Sequence, residues 1–244
     1  MTYIKTASKR IFIDVGISYL KMKQKMDQFK QVVSDVDTLF ITHEHQDHIM
    51  GLKTLLKQKT IQSVYLTQGT YKALKDDVKA LLPTHVVMIK ADIMFEIDQV
   101  KVLPMMISHD ANEPVGFIMF SEDKKIVFLT DTGYVDQSYH ELLTDADFYL
   151  LEANHHPTKL MQSKRPFLLK KRILSERGHL SNDDACRLMN QFIKKKTSIW
   201  VVAHMSEDCN DILDVEESIV NIFDDPTKVT TYYASQESLP VIKL

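Results

Sequence analysis

Three imidazoles and the Asp47 carboxylate fall within six residues of this chain, in Thr42-His43-Glu44-His45-Gln46-Asp47-His48, directly after the apolar run Thr38-Leu39-Phe40-Ile41. In an extended segment side-chain direction repeats every two residues, so His43 and His45 point the same way and can share one metal ion. Asp47 and His48, displaced by the following turn, can face a second ion. Mixed imidazole and carboxylate donors suit Zn²⁺, Mn²⁺ or Fe. Ten histidines scattered at random over 244 residues rarely give this spacing, so a metal centre is expected here rather than a polar surface loop.

Such a cluster needs strands to deliver it and helices to cover them. β-rich runs predict strands at Thr2–Lys5, Arg10–Val15, Thr38–Thr42, Ser63–Thr67, His85–Lys90, Val100–Ile107, Val115–Phe120, Lys125–Thr130, Asp147–Glu152, Ser198–Ala203 and Lys228–Ala234. Several are continuously apolar, as strands covered on both faces are. Helical spacing recurs in Tyr19, Met22, Met26 and Phe29, and again in Ala185, Leu188, Met189, Phe192 and Ile193. Ser181 is the expected N-cap of the second helix, with Asp184 three residues on. Pro166 fits the first turn of a helix through Leu174. Strands interleaved with helices predict a layered α/β domain with large or paired sheets.

Composition narrows the class. At 28.2 kDa, with 44% hydrophobic and 26% charged residues, the chain is expected to form one domain, 1–244, with a sizeable core. No apolar run reaches the roughly 18 to 20 residues that span a bilayer, and Asp14 interrupts the apolar start, which excludes a secretory signal. Two cysteines, Cys186 and Cys209, build no disulfide framework, and a cytoplasmic location is expected. The net charge is −3, yet the stretch from Lys159 to Arg177 carries seven basic residues against one acid, +6, leaving −9 elsewhere. Three of the five arginines lie there, and arginine's planar fork suits bidentate phosphate contact. That asymmetry is the footprint of a phosphate-backbone groove, with Arg172 and Arg177 the preferred contacts. Asn154 and His155 are expected to line the same pocket.

The histidine motif after a buried strand resembles the metallo-β-lactamase fold superfamily, and the rest of that pattern appears in order. Phe12-Ile13-Asp14-Val15-Gly16 is similar to its first motif, Ser108-His109-Asp110 to its third, Leu129-Thr130-Asp131-Thr132-Gly133 to its fourth, and Val202-Ala203-His204 to its last. The resemblance implies an αββα four-layer sandwich of two facing mixed sheets. It further implies two divalent ions per chain, one held by His43, His45, His109 and Asp131, the other by Asp47, His48, His204 and Asp131. Asp14 and Glu152 are expected to orient metal histidines, since ligand imidazoles donate their second N–H to a carboxylate or carbonyl.

Within that superfamily, Ser108-His109-Asp110-Ala111-Asn112-Glu113-Pro114-Val115-Gly116-Phe117 resembles the single-domain YycJ (WalJ) exonuclease family. Glu152-Ala153-Asn154-His155 and Arg177-Gly178-His179-Leu180-Ser181-Asn182 do so too. The phosphodiesterase PhnP and the tRNA-processing RNase Z are more distantly similar. Two departures stand out. The family opens with a further strand, whereas Thr2-Tyr3-Ile4 stands where the second is expected, so either the start is truncated or misassigned or this member lacks an edge strand. His156 occupies a position where the family usually has Asp.

The implied chemistry is phosphodiester hydrolysis. Two ions about 3.5 to 4 Å apart share a water and lower its pKa from 15.7 toward about 7. Hydroxide is then available at neutral pH, with Asp47 and Asp131 holding the catalytic ions. His179 matches the proton-donating histidine of RNase Z-like enzymes and is the expected acid for the departing alkoxide. DNA, degraded from an end, is the expected substrate. A small cyclic phosphate, as in PhnP, is the alternative within the same chemistry. Thioester or lactone hydrolysis of the glyoxalase II type is another, but those enzymes carry His-Thr-x-Gly where this chain has His109-Asp-Ala-Asn.

Overall fold

The computed structural model describes residues 1–234 and 241–244. Backbone proximity groups them into two compact units, Met1–Ile93 with Ala111–Val115 and Met94–Asp110 with Gly116–Leu244.

The first unit runs β1 (Thr2–Lys5), β2 (Arg10–Ile13), α1 (Tyr19–Gln28), β3 (Thr38–Phe40), α2 (Gln46–Ile49), α3 (Leu52–Lys57), β4 (Ser63–Thr67), α4 (Gln68–Ala73), α5 (Asp76–Lys79) and β5 (His85–Ile89). The strands lie in the order β1-β2-β3-β4-β5. Only β1 is antiparallel to its neighbour; β2 through β5 are parallel, with Ile13 opposite Phe40 and Phe40 opposite Tyr65. Parallel strands need crossovers, and α1 supplies the first. Ser18 caps it by accepting the Lys21 N–H, and Met22 and Met26 turn inward from it. They pack with Phe12, Leu39, Ile41, Leu55 and Val64 in a continuous apolar core.

The second unit contains β6 (Phe95–Ile97), β7 (Val100–Met106), β8 (Val115–Ser121), β9 (Lys124–Leu129), α6 (His140–Leu143), β10 (Phe148–Glu152), α7 (Pro157–Gln162), α8 (Phe167–Ile173), α9 (Asn182–Phe192), β11 (Ser198–Ala203), α10 (Ile212–Ile222) and β12 (Val229–Tyr233). Its sheet has the order β12-β11-β10-β9-β8-β7-β6. Strands β9 through β12 are parallel, whereas β8 with β9 and β6 with β7 are antiparallel pairs. Both sheets are therefore mixed, as expected. The core gathers Leu129, Leu151, Trp200 and Val202 from the strands with Ala185, Met189 and Phe192 from α9 and Val215 and Ile219 from α10. Ser181 caps α9 as its sequence implies: its hydroxyl accepts the Asp184 N–H and donates to the Asp184 carboxylate at 2.6 Å. Among the described residues no helix is long and apolar enough to cross a membrane.

The eleven anticipated strands are all present. β2, β3 and β9 stop one or two residues short of the predicted ends, because the chain turns away from the ladder just before Asp14, His43 and Asp131. Strand β6 was not anticipated; three residues carry no readable alternation. Pro166 precedes α8 as its N-cap instead of sitting in its first turn. α10 was also missed, although Asp211 and Asp214 form a reciprocal capping box at its start.

Candidate metal centre

The histidine motif sits where β3 ends. His43 is buried, and its ring centroid lies 4.7 Å from that of His45 and 4.0 Å from that of His48. His45 is the N-cap of α2, so the helix turn swings His48 back beside His43. Asp47, on the same turn, has a largely exposed side chain with Oδ2 3.8 Å from His48 Nε2. Three imidazole rings are thereby grouped at one strand end, the donor type that a divalent cation takes.

Asp14 anchors this group from the end of β2. Its Oδ1 accepts the Thr42 N–H at 2.9 Å, and its Oδ2 accepts the Thr42 hydroxyl at 2.7 Å and lies 2.7 Å from His48 Nδ1. Burial pushes the Asp14 carboxyl up, but the charge and hydrogen bond of His48 and the Thr42 N–H outweigh it, and the group ends below its ordinary range. With Nδ1 engaged, His48 has Nε2 left to ligate, which is the role expected of Asp14. Thr42 was not singled out in the sequence. Its hydroxyl also lies 3.0 Å from His43 Nδ1, and the signal for it was its place directly before the motif. Gly16 is required by close approach: a Cβ there would fall on the Asp47 carbonyl oxygen.

The second unit assembles its own group. Asp131, His179 and His204 each offer a ligand atom within 4.8 Å of the others. His109 is buried, with its ring 5.3 Å from that of His179, whose ring in turn lies 4.9 Å from that of His204. Mixed imidazole and carboxylate donors at this separation again fit a divalent ion of borderline softness. Glu152, at the end of β10 and fully buried, organises the cluster. Its Oε2 lies 3.0 Å from His179 Nδ1 and 3.1 Å from His204 Nδ1, and its Oε1 accepts the Thr132 N–H at 2.7 Å. Burial raises the Glu152 carboxyl, and hydrogen bonds and charge from His179 and His204 pull it net below its usual range. Glu152 thus holds both the expected ligand His204 and the expected acid His179, each by Nδ1.

Asn154 donates to the His204 carbonyl at 2.8 Å. His155, next to it, is 1% exposed, and neither ring nitrogen has a hydrogen-bond partner among the described residues. Burial pushes its pKa down to about 4, against an opposing pull from Glu152. His156 caps α7, its Nδ1 accepting the Lys159 N–H. The two arginines expected to meet phosphate are tied to the His109 segment. Arg172 donates through Nε and Nη2 to the Asp110 carboxylate, the latter at 3.0 Å, and Arg177 donates to the His109 carbonyl at 3.1 and 3.3 Å.

A family model described as β-lactamase superfamily domain matches residues 9–205. The chain is 30% identical over 210 residues to Exodeoxyribonuclease YycJ of Bacillus anthracis, covering 86% of this chain and 79% of that protein. It is 32% identical over 213 residues to Exodeoxyribonuclease WalJ of Streptococcus pneumoniae serotype 2, covering 85% and 78%. Among solved structures, the metallo-β-lactamase fold protein YhfI from Bacillus subtilis superposes with a TM-score of 0.69 at 14% identity, over 95% of this chain and 87% of that one. That likeness establishes the fold.

Proposed function

The chain belongs to the β-lactamase superfamily, with the YycJ and WalJ exodeoxyribonucleases among its relatives, and from that premise we propose that this metal-dependent hydrolase is a DNA exonuclease working with two divalent ions, Zn²⁺ or Mn²⁺. The observation that carries the reading is the likeness to two exodeoxyribonucleases over more than four fifths of this chain. The proposed ligands of one ion are His43, His45, His109 and Asp131, and of the other Asp47, His48, His204 and Asp131. When bound, such ions supply Lewis acidity toward the phosphodiester oxygens and lower the pKa of a water toward about 7.

The chain's own residues do the rest. His179 is the proposed acid. Its Nδ1 rests 3.0 Å from Glu152 Oε2, which fixes the ring and leaves Nε2 as the nitrogen that delivers a proton to the departing alkoxide. Glu152 stays ionised because His179 and His204 share it, and its carboxylate holds the His179 ring in place. Asp14 and Glu152 keep His48 and His204 in one ring orientation. The outward edges of Arg172 and Arg177 are the proposed contacts to substrate, whereas Asn154 and His155, expected to line the same pocket, are buried at 7% and 1% exposure and brace the cluster from within.

Incubating the protein with end-labelled DNA, end-labelled RNA and a cyclic ribose phosphate, with Zn²⁺ or Mn²⁺ present, tests this. Stepwise shortening of DNA is expected; activity confined to the cyclic phosphate would remove the nuclease reading. His179→Ala should retain metal and slow DNA hydrolysis far more than hydrolysis of an activated aryl phosphodiester, whose leaving group needs less protonation. Equal loss on both substrates would refute the acid role.

A further inference from the structure

Helix α8 buries only Ile173 among its seven residues. Phe167 is 71% exposed, Leu168 78%, and Leu174, at the C-cap, 48%. Phe167, Lys171 and Leu174 stand at i, i+4 and i+7 and share one face, with Leu168 on its flank. A surface helix normally turns its apolar stripe inward; this one displays it.

The cations around this face divide sharply. Lys159 is paired with Asp211 and Asp214, and Arg165 with Ser206 and Asp208. Lys170 donates to the carbonyls of Met161 and Ser163, and the two arginines hold the His109 segment. Lys164 and Lys171 are exposed and have no protein partner among the described residues. The helix is also tied to the catalytic segment: the His179 N–H donates to the Ile173 carbonyl at 2.9 Å.

We propose that this face of α8, with Phe167, Leu168 and Leu174 as apolar platform and Lys164 and Lys171 as flanking charges, docks the unpaired end of a DNA strand. The inference rests on the exonuclease reading and adds what form of DNA the chain grips. Unpaired nucleotides offer base faces to an aromatic ring and phosphates to ammonium groups, which is the combination displayed here. A blunt duplex keeps its bases stacked inside and offers the lysines only phosphate. Phe167 and Leu168 are each more than two thirds exposed, so the platform favours strands whose bases are open. Much of the segment's +6 is met by acids from outside it, and the exposed charge of Lys164 and Lys171 that remains supports an anionic occupant, where a second copy of the chain or a neutral apolar partner gains nothing from the lysines.

The test compares fluorescence anisotropy of the metal-loaded protein on a labelled phosphorothioate single strand and on the same sequence as a blunt duplex, for wild type, Phe167→Ala and Lys171→Ala. Phe167 is exposed, so the thermal midpoint of its variant should match wild type. Phe167→Ala should weaken single-strand binding by about tenfold, as expected when one base loses its stacking partner, with a change of less than about twofold on the duplex. Lys171→Ala should weaken both and flatten the salt dependence. Single-strand affinity unchanged in Phe167→Ala, or equal losses on both DNAs, would overturn the platform. So would a wild-type dimer in sedimentation that Phe167→Ala converts to monomer, because a second copy would then be the occupant. A wild-type protein that binds neither DNA would instead sink the exonuclease reading itself, and the platform with it.

Discussion

His155 provides a measurement of the buried polar layer behind the cluster that does not depend on catalysis. It is 1% exposed with two unsatisfied ring nitrogens, and burial lowers its pKa from the ordinary 6.5 to about 4. Between those values the unfolded chain binds a proton that the folded chain refuses, so lowering pH favours unfolding. The penalty is absent above pH 6.5 and complete below 4. One pKa unit corresponds to about 1.4 kcal/mol, so the full penalty is about 3 kcal/mol, of which about 2 kcal/mol develops between pH 7 and pH 5. Carboxylates such as Asp14 also weaken folding as pH falls, so wild type alone is uninformative. His155→Gln keeps a polar side chain that does not titrate, and every other group cancels in the difference. Urea unfolding of both proteins from pH 7 to 5, in excess chelator so that metal release plays no part, gives the two stability curves. The wild type should lose about 2 kcal/mol more than His155→Gln across that range. Parallel curves would show that His155 titrates normally and that the pocket around it admits water.

Other perturbations test the remaining parts. Asp131→Ala, which removes the proposed bridging carboxylate, should lower metal content by elemental analysis from two ions per chain; two retained ions would contradict that role. Arg177→Ala removes both hydrogen bonds on the His109 carbonyl and should weaken metal binding about tenfold in competition with a chromophoric chelator, as loss of an outer support does. Unchanged affinity would leave Arg177 to the substrate alone. Ser181→Ala strips the N-cap of α9 and should cost about 1 kcal/mol in urea unfolding, and no loss would mean that core packing alone fixes the helix start.

How much of this was legible follows from what repeats in a sequence. The motif from His43 to His48 declared itself because four donors lie close together, and the strands because their apolar runs are continuous. α1 and α9 showed because their apolar residues keep one spacing over about three turns, whereas α10, just as long, went unread. α2 through α7 are four to six residues long and complete too few turns for any period to emerge. His109, Asp131 and His204 were legible only through family motifs, since one polar residue after an apolar run has no spacing to read. The charge of Arg172 and Arg177 was visible, but their partners, Asp110 and the His109 carbonyl, lie more than sixty residues away.

The strand ends explain the least legible feature. Asp14, Asp131 and His204 have φ of 54°, 59° and 55°, the left-handed region that most side chains avoid and that Asp and His enter more readily than β-branched residues. Each follows a parallel strand by one or two residues, after the last ladder pairs Ile13–Phe40, Leu129–Leu151 and Ala203–Glu152. A strand continuing through these positions would spend its next N–H groups on the ladder. The reversal frees them: the Val15 N–H reaches the His48 carbonyl, the Thr132 N–H the Glu152 carboxylate and the Ser206 N–H the Asn154 carbonyl. Extended propensity predicts strands that run on through Asp14 and as far as Thr42, and it fails because the backbone trades ladder bonds for the contacts that hold these side chains. Local strain concentrated on residues that bear chemistry is the pattern expected where geometry serves function rather than stability. Glycine at Asp14 would relieve the backbone strain but strip away the buried carboxylate's contacts with Thr42 and His48, each costing about 1 to 3 kcal/mol when left unmade. Asp14→Gly should therefore lose stability in urea unfolding as well as the metal; a gain would show that strain outweighs the hydrogen bonds.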